Sequence, residues 1–275
     1  MSDAALRLHA RYVQRPFLAM VPSQRALRAL FELTSTFEPA PKDVTVTRSA
    51  YGGVPGLTFR PEGTTGPPKL LYFHGGGFTM GSPRTHRNLI GRLAREAGVV
   101  AFAPDYRLSP EHKFPTAHDD ALAVYDAMEL PVAVAGDSAG GNLSAYLCLE
   151  RAPVAAALLS PALDFARWEN ADVDFRGELL IPPAWLTRVA KAMGDIDPTD
   201  RRLTPLPHLD GRVPTIVQVG AGEILRYDAE TLAARTGAQI EIFDGVPHVW
   251  QMHGAWSPSA RRSIRSLGAF LKSHL

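Results

Sequence analysis

The stretch VAVAGDSAGGN, Val132 to Asn142, reads as a short apolar run, a sharp corner and the first turn of a helix. Small apolar residues run up to Gly136. Asp137, Ser138 and Ala139 follow, then Gly140, Gly141 and Asn142. The pentapeptide Gly136 to Gly140 matches G-x-S-x-G. Between a strand and a helix, that pattern sets a serine at the tip of a strained turn, and its flanking glycines let strand and helix pass close together. The hydroxyl then stands clear of the sheet at a helix N-terminus, where the dipole favours developing negative charge.

Outward from this corner, apolar runs alternate with helical stretches. The runs cover 70–73, 99–103, 132–136, 156–160, 215–220 and 240–243. Helices are expected near 84–97, 116–129, 139–150, 225–236 and 259–272. Continuous apolar strands alternating with helices indicate a mostly parallel sheet covered on both faces, an α/β class. Ahead of them, DVTVTRSAYGGVPGLTFRP (43–61) alternates apolar and polar residues around Gly52-Gly53, as a hairpin does.

The first forty residues read as helical. Leu27, Leu30, Phe31 and Thr34 recur at helical spacing, with Arg25 and Arg28 on the other face. Leu6, Leu8, Tyr12, Val13, Phe17 and Met20 suggest a looser amphipathic piece before them, and Pro39 and Pro41 end the region. Residues 164–193 interrupt the strand–helix rhythm with Phe165, Trp168, Phe175, Trp185 and Met193. The expected organisation is an N-terminal helical cap region (1–42) and a catalytic domain (43–275) with a cap insertion at about 164–193. The competing reading is that these are ordinary packing helices.

Composition narrows the function. Of the 275 residues, 45% are hydrophobic, enough for a sizeable core, and the net charge is only +1. With no basic stripe or acidic tail, nucleic acid is not an expected partner. Cys148 is the only cysteine, so the fold does not depend on an intrachain disulfide; among Ala145, Leu147 and Leu149 it reads as a buried hydrophobe. Neither a signal peptide nor an apolar run long enough to span a bilayer is visible, and a cytoplasmic location is expected.

A second motif specifies the chemistry. LLYFHGGGF ends a strand with His74-Gly75-Gly76-Gly77. Acyl transfer passes through a tetrahedral oxyanion, and a glycine-rich loop lets backbone N–H groups approach it without side chains in the way. The expected donors are the N–H groups of Gly76, Gly77 and Ala139, with His74, Gly75 and Asp137 in supporting roles. A phosphate-binding loop is disfavoured, because its lysine is absent.

HGGGF and GDSAGGN, joined by DYRLSPEHKFPTAHDD, make the chain resemble the hormone-sensitive-lipase family of α/β-hydrolases over roughly residues 68–275. The resemblance implies an α/β-hydrolase fold with a helical cap, and a serine carboxylesterase acting on short- to medium-chain esters. It implies neither metal nor organic cofactor. Homodimers occur in the family, so one is allowed here. The fold also hosts amide, formamide and lactone hydrolases and, where a catalytic residue is lost, binding proteins.

A serine hydroxyl needs a base, and the base needs an acid to hold its tautomer. In this fold the chain order is serine, acid, histidine. His248, on the loop after the last strand, is the expected base, and the family motif places its histidine there; His253 is the fallback. Glu223 and then Asp228 are offered as the acid by TIVQVGAGEILRYDAE. Glu223 is chosen, although the family commonly has aspartate followed by Pro-Leu and this chain has Glu223-Ile224-Leu225. Asp228 is read as facing solvent or capping a neighbour, and Asp244 has no clear reason to point at the ring. Asp105, Arg107 and Glu111 could pair beside the site. Phe17, Met20, Phe78, Trp168 and Trp185 are candidates for the substrate wall. His112 and His118, near Asp119 and Asp120, are the nearest approach to a metal set, and none is expected to bind metal.

Overall fold

In the computed structural model, residues 2–275 are described apart from 22, 36, 37, 39, 171 and 172. Pro39, read as part of the helix-ending signal, lies outside the described residues.

The alternating stretch at 43–61 forms the expected hairpin of β1 (Val44–Tyr51) and β2 (Val54–Pro61), with Tyr51 opposite Val54. Gly52 and Gly53 take φ +57° and +78°, the pair of positive values that a tight two-residue hairpin turn demands. The apolar runs become β3 (Leu70–Phe73), β4 (Ala101–Pro104), β5 (Ala133–Asp137), β6 (Ala156–Leu159), β7 (Thr215–Gly220) and β8 (Gln239–Phe243). One eight-stranded sheet results, in the order β1-β2-β4-β3-β5-β6-β7-β8. β2 runs antiparallel to both its neighbours, β1 and β4; β3 to β8 are parallel.

Both faces of the sheet are covered, and alternate residues of each strand supply the two cores. Leu71, Phe73, Val134, Leu158, Val217 and Val219 lie in one apolar cluster. Leu70, Tyr72, Ala133, Ala135, Ala157 and Ile216 lie in the other.

In chain order the helices are α1 (Asp3–His9), α2 (Arg15–Met20), α3 (Gln24–Ser35), α4 (Arg87–Ala97), α5 (Thr116–Asp126), α6 (Ala139–Glu150), α7 (Phe165–Asn170), α8 (Pro183–Met193), α9 (Arg226–Thr236) and α10 (Pro258–Lys272). Helices α4 and α10 pack on the Leu70 side, while α5, α6 and α9 pack on the Leu71 side.

The N-terminal helices differ from their sequence reading. Leu6, Ala10 and Leu27 are buried, but Tyr12 is 67% and Met20 78% exposed, and Leu8, Val13 and Phe17 also reach solvent. On α3, Leu30 and Thr34 face outward and Arg28 turns inward. The Arg28 guanidinium donates to the Thr79 carbonyl at 2.9 and 3.0 Å and to the Ser109 carbonyl at 2.8 Å. Two loop carbonyls fix this helix face, because the guanidinium gives them charge-assisted hydrogen bonds that an apolar side chain could not. Arg188 of α8 donates to the carbonyls of Leu18 and Ala19, so the 164–193 segment and the N-terminal helices are bound to each other.

Candidate active site

Ser138 is the residue between β5 and α6. It takes φ +52°, ψ −117°, a region that costs a non-glycine residue of order 1–3 kcal/mol. The surroundings hold it there. Its N–H donates to Leu159 O at 2.9 Å, and its carbonyl accepts from Asn142 N and Ala162 N. Both motif glycines are required by contact: a Cβ on Gly136 would stand 2.3 Å from Gly140 O, and one on Gly140 would stand 2.0 Å from Phe73 O. Among the described residues, five non-glycines have positive φ. Four of them, Phe78, Ser138, Ser160 and Val249, follow β3, β5, β6 and β8 at the same edge of the sheet. Strain concentrates where the strands deliver their loops.

The HGGG loop leaves β3 beside this corner. Gly76 and Gly77 take φ +115° and +61°. A Cβ on Gly76 would meet Met80 O at 2.2 Å, and one on Gly77 would meet Trp185 Cη2 at 2.9 Å. Side chains are excluded at both positions by conformation and by space. Gly75 is fixed by a different neighbour, since its Cβ would fall 2.1 Å from Asp137 Oδ2.

Asp137 and His74 brace this loop. Asp137 is buried and accepts from Tyr72 Oη at 2.7 Å, with His86 Nε2 3.3 Å away. Burial pushes its pKa up, but His86, Tyr72 and His74 outweigh that, and the carboxyl sits below its ordinary value. The His74 ring stacks on Tyr106 at 4.2 Å, and Tyr106 Oη donates to His74 O at 2.7 Å. Burial, with His86 nearby, lowers the His74 pKa to about 3, so the ring is neutral.

Glu223 follows β7 and His248 follows β8. Glu223 Oε2 lies 2.6 Å from His248 Nδ1, with both side chains buried. The other oxygen, Oε1, accepts from Ser160 Oγ at 2.8 Å and from Gly220 N at 2.6 Å. Burial lowers the imidazole pKa, yet the charge and hydrogen bond of Glu223, with smaller pulls from Glu178 and Asp137, leave it above its ordinary value.

The rival residues go elsewhere. Asp228, on α9, is fully buried and does not face solvent; Oδ2 accepts from Leu163 N and Asp164 N at 2.8 and 3.1 Å, so it caps a neighbouring segment. Asp244 is exposed, and His253 pairs with Glu38 at 2.9 Å. Asp105, Arg107 and Glu111 do not pair with one another. Arg107 binds Asp120, Glu111 binds Arg25 and Arg28, and Asp105 lies 3.7 Å from Arg84. His118 Nε2 contacts Asn142 Oδ1 at 2.9 Å, so its ring belongs to the packing of α6.

The candidate substrate wall is partly rearranged. Trp168 lines a cavity of about 420 Å³ with Phe165, Phe175, Leu186, Val189 and Ile224. Trp185 is buried against Gly77, and Phe78 packs on His118 and Phe165. Phe17 is 39% exposed, and neither it nor Met20 lines this cavity. The sequence reading missed Ser160 and Glu178. Ser160 ended a recognised strand beside the strand that leads to Glu223, which was a usable signal; Glu178 had none.

A model of the alpha/beta hydrolase fold matches residues 70–252. The chain is 32% identical over 255 residues to the carboxylic ester hydrolase LipN of Mycobacterium tuberculosis, covering 80% of this chain and 68% of that protein. It is 37% identical over 225 residues to an acetyl-hydrolase of Streptomyces hygroscopicus, covering 74% and 75%. Among solved structures, a hormone-sensitive lipase from a metagenome library superposes with a TM-score of 0.88 at 30% identity, covering 99% of this chain and 96% of that one. With the sheet order, the serine corner and the glycine loop in place, the chain belongs to the α/β-hydrolase family, in its hormone-sensitive-lipase branch.

Proposed function

We propose that the chain is a serine carboxylesterase acting on short- to medium-chain esters through an acyl-enzyme, with Ser138, His248 and Glu223 as its triad. The observation that carries the reading is the buried 2.6 Å contact between Glu223 and His248, formed at the sheet edge where β5 presents Ser138. The carboxylate fixes the proton on Nδ1 and leaves Nε2 free to accept. Ser138 Oγ attacks the ester carbonyl and His248 takes its proton. The oxyanion is met by the N–H groups of Gly76, Gly77 and Ala139. Collapse expels the alcohol, which takes the proton from His248. Water then attacks the acyl-enzyme by the same route, freeing the acid and restoring Ser138.

The apolar cavity beside Trp168 suits an uncharged acyl or alcohol group. The N-terminal helices and residues 164–193 serve as the cap, joined by Arg188. Among the described residues no helix is long and apolar enough to cross a membrane. A cytoplasmic location and a homodimer complete the reading. The test is hydrolysis of p-nitrophenyl esters from acetate to palmitate, with Ser138→Ala as control. A serine-dependent rate peaking at short or medium chains supports it; a Ser138→Ala variant with undiminished rate refutes it.

A further inference from the structure

Glu178 lies in the loop between α7 and α8, is 3% exposed, and carries none of the chemistry above. Its partners are backbone N–H groups. Oε1 accepts from Leu180 N at 2.7 Å and Ile181 N at 3.0 Å, and Oε2 accepts from Ile224 N at 3.2 Å. Ile224 is the residue after the triad acid. Two glycines allow the approach: a Cβ on Gly222 would stand 2.6 Å from Gly177 O, and one on Gly177 would stand 3.0 Å from Gly222 O. Arg15 of α2 donates to the Glu178 carbonyl, bringing a third segment to the junction.

A buried carboxylate beside a second carboxylate is a costly choice for a loop that an apolar side chain could fill. Burial and Glu223 push its pKa above the ordinary carboxylate value, against the pull of His248 and of the Ile181 and Leu180 N–H groups. The group that gains from two negative charges is the imidazolium formed as Ser138 loses its proton. We propose that Glu178 is a positioning residue for ester hydrolysis: it seats the Glu223 loop through Ile224 N–H and adds a carboxylate to the field around His248, so the base is complete only when the insertion is docked at Gly222. This rests on the triad reading above.

The test is the pH profile of kcat/KM on p-nitrophenyl butyrate. The charged groups acting on His248 are Glu223, Glu178 and Asp137; those acting on Glu178 are Glu223 and His248, with the Arg15 guanidinium at its carbonyl. Negative charge raises the pKa of His248, and only neutral imidazole accepts the serine proton. Removing the charge therefore moves the acid limb to lower pH. Glu178→Gln keeps an oxygen for Leu180 and Ile181 but sets an amide NH₂ opposite Ile224 N–H. Its acid limb should fall by about half a pH unit or more, with plateau kcat lowered about ten- to hundredfold. Gly222→Ala separates the two loops with Glu178 intact and should shift the limb in the same direction, which keeps the test open if the first variant does not fold. A merely structural role would lower the melting temperature and kcat and leave the limb in place. With wild type labelled by a fluorophosphonate, an unmoved limb in every variant that folds overturns the proposal alone. Wild type that resists labelling overturns the triad reading, and the proposal with it.

Discussion

Replacing Glu223 by glutamine removes the charge beside His248 and reverses the hydrogen bond to its ring in one step. The amide oxygen can still accept from Ser160 Oγ and Gly220 N, which now reach Oε1 at 2.8 and 2.6 Å. The fold should therefore lose no more than about 1–2 kcal/mol. The amide NH₂ then faces His248 Nδ1 where Oε2 stood at 2.6 Å. Two donors cannot share that contact, so the ring proton moves to Nε2, the nitrogen that must accept from Ser138. Loss of charge alone would shift the imidazole by about 1–3 pKa units, roughly 1.4–4 kcal/mol. The wrong tautomer costs more: about 10⁴ in kcat, or about 5.4 kcal/mol at about 1.36 kcal/mol per decade. The assay is kcat on p-nitrophenyl butyrate, with thermal unfolding measured in parallel. A folded Glu223→Gln variant within about tenfold of wild type would refute the assignment of Glu223 as the orienting acid.

Two further outcomes follow from buried contacts. Burial chiefly, with Asp164 nearby, raises the Asp228 pKa to about 7 from an ordinary 3.8. A carboxyl whose folded pKa is raised stabilises the fold less as pH climbs from its unfolded to its folded value, by up to about 4 kcal/mol between pH 4 and 7. Asp228→Asn removes that slope, so the difference in urea midpoint between wild type and variant should change across this range; a constant difference would sink the idea. Gly140→Ala sets a Cβ 2.0 Å from Phe73 O, backbone against backbone, and should cost at least about 3 kcal/mol and abolish fluorophosphonate labelling. A variant that unfolds and labels like wild type would show that strand and helix can separate there.

The apolar runs and the helical stretches placed β3 to β8 and α4, α5, α6, α9 and α10 to within a helical turn, because both signals are local. A strand buried on both faces is apolar along most of its length, and Gly52-Gly53 meets the positive φ values of a two-residue hairpin turn. G-x-S-x-G and HGGG were legible for the same reason: a strained corner and a bare backbone loop are needs of a few adjacent residues. Chain order limited the acid and the base to a handful of candidates.

The rest depended on residues far apart in sequence. Phe17 and Arg28 were assigned to faces by helical spacing, but a helix face is chosen by what lies against it. Loop carbonyls at Thr79 and Ser109 hold Arg28 inward, and Phe17 stands outside the wall of the Trp168 cavity. Glu223 and Asp228 are five residues apart and alike in charge. One meets an imidazole 25 residues later, and the other meets N–H groups some 65 residues earlier. Glu178 reaches Ile224 across 46 residues through two glycines that have no meaning until their loops touch. The sequence by itself determined the strands, the serine corner and the bare HGGG loop, whose requirements are met within a turn of chain. Only the tertiary structure decided which carboxylates face the histidine, because that depends on how the sheet brings distant loops to one edge.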